Sequence, residues 1–526
     1  MSKIDARGTS RRELMLTEQH QDFGDLLYEQ VKNAPWVMCS VGIHGLLIGF
    51  LLLLPTDVTE VATATRIEAS PVETQPELDE PDDPDVDPDE PIDEIKKTID
   101  EVVPVDTKVE EVNQTPDDVD AVDDLGVPDA FSNAPFSGLE TNALIGLTGG
   151  AGGQRGDGLG GRKELRSGGG GGTGGGGTQV SVDLALEWLK NHQSDNGSWD
   201  GDGFDDHCKL NKCGGVGGAT FDPGLTGLAL LCFLGAGETH QSGPYKDTIK
   251  NGLRYLKSIQ DSEGAFGPRT SQHFQYNHMT AALAMTEAYG LTGSRLFKES
   301  AQRGVDFVHA SQNPYSAWRY GVRDGDNDTS VTGWAVMVLK SAKMAELRVD
   351  GGAFRGAMGW IEKMTEPEFG RVGYQRRGGP VARTSETMER FPAEQSEALT
   401  GVGVLTRIFC GEDPKKSESI QKGVALMGKK PPRWDLDAGT TDFYYWYYAT
   451  LAMFQVGGDD WKRWNKSMKT AIVDNQRTEA GRDERGSWDP VDPWSADGGR
   501  IYATALNCLS LEVYYRYGRV FGASER

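Results

Sequence analysis

Histidine and cysteine are scarce in this chain, with eight and six in 526 residues, and no histidine follows His309. Imidazole-dependent chemistry is therefore excluded from the C-terminal part. Basic residues are also few for the length, 54 against 79 acidic, and they form no stripe of the kind a phosphate backbone requires. The net charge of −25 is uneven: residues 56–130 hold 26 acidic and 4 basic side chains, or −22 of it. The remainder sits near −3, so neither nucleic-acid binding nor an acidic-protein function follows from the charge.

Formal charge is missing altogether from residues 36–54, an apolar run closed by Pro55. About nineteen helical residues at ~1.5 Å each match the ~30 Å hydrocarbon core of a bilayer. A cleaved signal peptide would carry an apolar stretch of roughly 7–15 residues behind a shorter leader, so the run is read as an anchor. Arg7, Arg11, Arg12 and Lys32 precede it, while Asp57 and Glu60 follow. This bias predicts a cytoplasmic tail (1–35), a membrane helix (36–55) and everything later outside, in the periplasm of an inner-membrane protein.

His44 is a costly residue at mid-membrane, where an ionisable group normally faces a protein partner or a water path. The run Ser40-Val41-Gly42-Ile43-His44-Gly45 resembles the transmembrane helix of TonB-type energy transducers. That resemblance implies a proton-channel partner facing Ser40 and His44. Residues 56–178 lack periodic apolar pattern and run from proline-punctuated acid to nearly pure glycine, which predicts a disordered linker. As a coil, about 120 residues would span roughly 60 Å.

From residue 179 the pattern becomes repetitive. Trp188-Leu189 is followed by Gln193 and Gly197-Ser198-Trp199; Tyr255-Leu256 by Gln260 and Gly264-Ala265-Phe266; Phe307-Val308 by Gln312 and Trp318; Ile472 by Gln476 and Gly486-Ser487-Trp488. Degenerate units run from Trp360-Ile361 to Tyr374 and from Leu426 to Trp434. Between the units lie six small-residue apolar helices starting near Thr226, Ala281, Thr332, Thr400, Ala449 and Ala503. Helices apolar on nearly all faces are buried ones. Six of them alternating with six amphipathic helices predict an all-α domain over 179–526, an α6/α6 toroid.

The Gln-x3-Gly-x-aromatic units resemble the QW repeats of the squalene-cyclase and protein-prenyltransferase superfamily. The resemblance implies the toroid; its activities meet obstacles here. Cyclases of that kind protonate an alkene with an Asp-x-Asp-Asp-Thr motif. In Asp324-Gly325-Asp326-Asn327-Asp328-Thr329 the donor position holds Asn327, an amide that cannot supply a proton. Prenyltransferases bind zinc through Asp-x-Cys and a later His; Asp442-Phe443-Tyr444 has Tyr where Cys is needed. Cys410-Gly411-Glu412-Asp413 lacks the Gln of a complement-type thioester.

What remains is a ring of polar groups at the inner-helix starts: Asp222, His278, Asp326, Asp328, Glu394, Glu397, Asp442 and Asp497. Each also fits as a helix cap. Asp326, Asp328 and Asp442 are the catalytic candidates; Asp222, His278, Asp497 and the aromatic run Tyr444, Tyr445, Trp446 are the ligand-binding ones. Cys208 and Cys213 share a loop and are a disulfide candidate in an oxidising compartment, while zinc through His207, Cys208 and Cys213 lacks a fourth ligand. No metal or cofactor is expected. The leading expectation is a membrane-anchored binding toroid. The alternatives are an enzyme on a polyprenyl lipid or glycan, in which paired carboxylates would mark glycan hydrolysis, and a TonB-like transducer.

Overall fold

The computed structural model describes residues 162–167, 177–271 and 273–516. The expected anchor, Ser40, His44 and the linker up to residue 161 lie outside the described residues; among the described ones no helix is long and apolar enough to cross a membrane. Fourteen α-helices make up the described part.

Six of these form the inner ring: α3 (Asp222–Gly235), α5 (Phe274–Thr292), α7 (Thr329–Met344), α9 (Ala398–Phe409), α11 (Phe443–Val456) and α13 (Ser495–Leu511). Six form the outer ring: α2 (Gln179–Asn191), α4 (Lys246–Ser258), α6 (Arg295–Ser311), α8 (Gly351–Met364), α10 (Glu418–Gly428) and α12 (Gly458–Val473). Each inner helix packs on the next, and α13 closes on both α3 and α2. The expected α6/α6 toroid is the fold. In α3, thirteen consecutive residues from Pro223 to Gly235 are buried, as a helix walled by neighbours on every side must be. Outer helices bury only a stripe; in α4 it is Thr248, Ile249, Gly252, Leu253 and Leu256.

The inner helices begin two to eight residues before the apolar starts expected from sequence. Their first turns carry polar residues, as in Gln275, Asn277 and His278 of α5, so the apolar signal begins a turn late.

The repeat residues are joints between neighbouring helices. The Gln193 amide donates to the carbonyls of Gly197 and of Thr248, in the first turn of α4, both at 2.9 Å. Gln260 links Gly264 to Ser300 of α6, and Gln312 links Ser316 to Ala353 of α8. The glycine that follows has positive φ in Gly197, Gly264 and Gly486, and an added Cβ would collide with a backbone carbonyl of a neighbouring outer helix. Trp199, Trp318 and Trp488 bury their rings and donate Nε1–H to the carbonyls of Leu189, Val308 and Ile472. Their backbone N–H groups donate to Thr226, Thr332 and Thr504, inside the inner helices.

Two sequence assignments change. The aromatic place of the fourth unit belongs to Val372, whose N–H donates to Thr400, and Tyr374 is released from packing duty. Residues 162–167, expected in the linker, form α1 (Arg162–Ser167). Its Arg162 is 2 % exposed, bonded to Glu287 at 2.8 Å and to the carbonyls of Leu234 and Arg516. Glu287 also pairs with Arg516, of the short helix α14 (Val513–Arg516), at 3.3 Å. This buried ion cluster gathers near the C-terminal end of α3.

Candidate functional site

The inner helices' first turns surround a cavity of about 320 Å³. Its walls come from α3 (Gly224, Leu225, Leu228), α5 (Tyr276, Asn277, Thr280), α7 (Ser330, Trp334), α9 (Ala398, Leu399), α11 (Tyr444) and α13 (Asp497, Gly498, Tyr502). Loop residues Phe221, His273, Tyr320, Tyr374, Arg383 and Trp494 complete it. Eight of the lining side chains are Phe, Tyr or Trp, and Asp497 is the single lining carboxylate among the described residues.

The polar groups form short chains. Tyr374 donates to Asp328 Oδ2 at 3.1 Å, and the Tyr320 hydroxyl lies 2.6 Å from that of Tyr374. Since Tyr374 spends its proton on Asp328, Tyr320 is the donor in the second bond. Ser330 and Tyr444 share a 2.6 Å hydroxyl contact across the cavity wall. Arg383 donates to Asp442 at 2.6 Å and stacks over Trp494, 5.7 Å from the ring centre. Asp328 is fully buried, and burial pushes its carboxyl up to about 7 against the opposing pull of Val331 N–H, Tyr374 and Arg319. Asp492, bonded to Phe443 N–H and Ser495, is pushed to about 7 by burial and by the charge of Asp442. Partial burial raises Asp497 and lowers His273, and each opposes the other's shift.

The sequence candidates separate sharply here. Asp328 caps α7 by accepting from Val331 N–H, and Asp442 caps α11 by accepting from Tyr445 N–H. Neither lines the cavity. Asp326 points outward, 66 % exposed and paired with Arg319 at 2.9 Å. Asn327, in the proton-donor position, accepts from the N–H of Ala317 and holds its loop. Glu397 is buried between Arg371 and Lys430, at 2.7 and 2.8 Å. Asp222 accepts from Gly201 N–H and stands with Asp200 and Asp202, which together with burial raise its carboxyl to about 6.

His278 lies outside the cavity. It is fully buried, accepts from Phe266 N–H at 3.2 Å, and so takes the joint role that threonine has in neighbouring units. Of the aromatic run only Tyr444 reaches the cavity; the Tyr445 hydroxyl donates to Lys430 O, and Trp446 packs on Trp434. Asp497 and Tyr444 are thus the ligand candidates that the fold brings together. Tyr276, Tyr320, Tyr374, Tyr502, Arg383 and His273 were not anticipated. Tyr320 and Tyr374 share a signal: each stands two residues after its unit's packing position, Trp318 or Val372.

Cys208 and Cys213 are free thiols, with sulfurs 3.1 Å apart, and lie away from the cavity lining.

No family model matches the chain. A squalene–hopene cyclase of Bradyrhizobium diazoefficiens is 23% identical over 176 residues, 31% of this chain and 26% of the relative. Over that stretch the sequence is similar to a squalene–hopene cyclase. The chain thus spans about a quarter of that relative's length. Among solved structures, an α-1,6-mannanase of Salegentibacter, as an inactive variant with α-1,6-mannotriose, gives a TM-score of 0.44 at 12% identity, covering 64% of this chain and 98% of its own. A type II terpene cyclase of Scytonema with merosterolic acid A gives 0.39 at 10%, covering 64% and 96%. A cellobiose 2-epimerase of Bacillus thermoamylovorans gives 0.44 at 13%, covering 63% and 96%.

Proposed function

We propose that the toroid is a binding module for an apolar lipid of the isoprenoid class, carried outside the cytoplasm on a membrane-anchored linker. The observation that carries this reading is the cavity lining: eight aromatic rings with aliphatic side chains between them, and one carboxylate. Concave, mostly apolar sites with a few placed polar groups suit such ligands. Paired carboxylates are missing from the described lining, which weighs against glycan hydrolysis in this cavity. Asp328 stands behind Tyr374 and Asn327 holds a loop, which weighs against protonation of an alkene by direct contact with a carboxyl.

Native mass spectrometry of the full chain, purified from membranes in mild detergent, tests this. Retention of an isoprenoid mass, lost in Leu399→Trp with the helical content unchanged, is the expected result. An empty cavity that also fails to take up added polyprenols and hopanoids would remove the proposal.

A second reading, an enzyme on the same lipid class, rests on the Tyr320–Tyr374–Asp328 chain, which connects two cavity hydroxyls to a carboxyl titrating at about 7. It requires bound lipid to be converted, and conversion to slow in Tyr374→Phe. Coupling to a proton-channel partner through Ser40 and His44 is a separate proposal. Unchanged crosslinking to any membrane partner in His44→Ala would end it.

A further inference from the structure

Beyond the cavity, one cluster joins residues that sequence reading kept apart. His192 Nε2 lies 3.5 Å from Cys208 Sγ and 3.4 Å from Cys213 Sγ, and the two sulfurs are 3.1 Å from each other. We propose that His192, Cys208 and Cys213 form a binding site for a thiophilic divalent cation of the zinc type.

The donor set and its spacing suit that chemistry. Cys208 and Cys213 are separated by four residues, within the C-x2–4-C spacing of zinc sites. With metal–sulfur and metal–nitrogen bonds of ~2.3 and ~2.0 Å in a tetrahedron, nitrogen and sulfur ligands stand ~3.5 Å apart and two sulfurs ~3.8 Å. Both His192 contacts match, and the sulfurs, 3.1 Å apart, would have to separate by ~0.7 Å on binding. Two thiolates and one neutral imidazole around a dication leave no net charge, which suits a place where His192 is 3 % and Cys213 5 % exposed.

The surroundings hold the histidine in the right tautomer. His192 Nδ1 lies 2.8 Å from the Trp188 carbonyl, an acceptor only, so Nδ1 carries the proton. The Nε2 lone pair then faces both sulfurs. A backbone carbonyl on the second ring nitrogen is the usual support of a metal-bound histidine. The ring is stacked on Trp188, with centroids 4.3 Å apart. A disulfide fits this arrangement less well. Its sulfurs carry no hydrogen, so Nε2 would become a buried acceptor with no donor.

The cysteine loop is also held in advance. Asp483 accepts from the N–H of Asn211 at 2.8 Å, Asn211 donates to Glu484 at 2.7 Å, and Arg500 of α13 donates to Gly214 O at 3.0 Å. Further along the same loop, Gly218 N–H donates at 2.8 Å to the carbonyl of Asp497, which lines the cavity. The cation would therefore clamp the end of α2 to the loop that buttresses one cavity wall. No other His, Cys, Asp or Glu completes the cluster among the described residues, so water takes the fourth position.

The test uses the full chain, reduced and stripped of metal, titrated with cobalt(II) and then zinc(II). The expected result is uptake of about one cobalt per chain with a thiolate-to-cobalt charge-transfer band, displaced by zinc and lost in Cys213→Ser and in His192→Ala. Zinc should also slow alkylation of the two thiols in the unaltered protein, a readout that needs no variant to fold. Absence of the band and of zinc protection in the reduced protein would overturn the site, as would a band that persists in Cys213→Ser. Neither result bears on lipid retention in the cavity.

Discussion

Gln476 Nε2 donates to the carbonyl of Ser181, 2.8 Å away and 295 residues earlier in the chain, and so ties the last outer helix to the first. The same amide donates to Gly486 O at 2.8 Å. The joints at Gln193, Gln260 and Gln312 each link one outer helix to the next, across the intervening inner helix; this one closes the ring.

Replacing Gln476 by Ala leaves two buried carbonyls short of a donor. The expected loss is about 1–3 kcal/mol of unfolding free energy. Gln193→Ala, whose site is only part-buried, should cost less. Urea denaturation followed by circular dichroism checks the order, and equal losses would count against a special role for closure.

Glu287 is bonded to both Arg162 and Arg516, and all three side chains are at most 2 % exposed. Glu287→Ala would remove from the interior the carboxylate that both cations bond, leaving buried Glu512 as a neighbouring acid. The expected destabilisation is roughly 3–5 kcal/mol. Deleting residues up to 167 should cost less, because it removes one of the cations together with α1. Thermal melts of the two variants side by side decide this.

His278 is a structural acceptor, so His278→Ala should lower stability by about 1–3 kcal/mol through the unpaired Phe266 N–H. His278→Thr, which restores the acceptor used in other units, should recover part of that. Lipid retention should be unchanged in both. A variant that keeps its stability but loses ligand would return His278 to the binding site.

Asp328 has a pH signature with a definite sign. Its folded-state value, about 7, lies above the ~3.9 of an unfolded aspartate. Between these values the native protein holds a proton that the unfolded chain has released. Its contribution is therefore fully present below about pH 4 and is lost as pH rises toward 7. Asp492 acts in the same direction and over the same range. Asp328→Asn keeps an acceptor for Val331 N–H and does not titrate, so the fall in stability between pH 4 and 7 should become shallower. An unchanged slope in denaturant midpoints over that range would show that Asp328 is ionised throughout.

The sequence alone carried the toroid because its determinants are local. A Gln and an aromatic at short spacing, with a glycine between them in three units, make one joint; four such units and two degenerate ones make a ring, and apolar helices between them have nowhere to go but inward. It also carried the capping role of the inner-helix acids, since a carboxylate before a helix is stabilised whatever surrounds it. Residues far apart in the chain needed the fold to bring them together. Tyr320 and Tyr374 meet across 54 residues. Tyr444 turns to the cavity while Tyr445 and Trp446 turn away, because a helix spreads consecutive side chains around its axis. Arg162 was invisible within glycine-rich chain until its partner Glu287 appeared from another helix. His192, not His207, meets the cysteine pair, because the end of α2 carries it there. Backbone pattern is a property of neighbours in sequence, whereas a site is a property of neighbours in space, and only packing makes those.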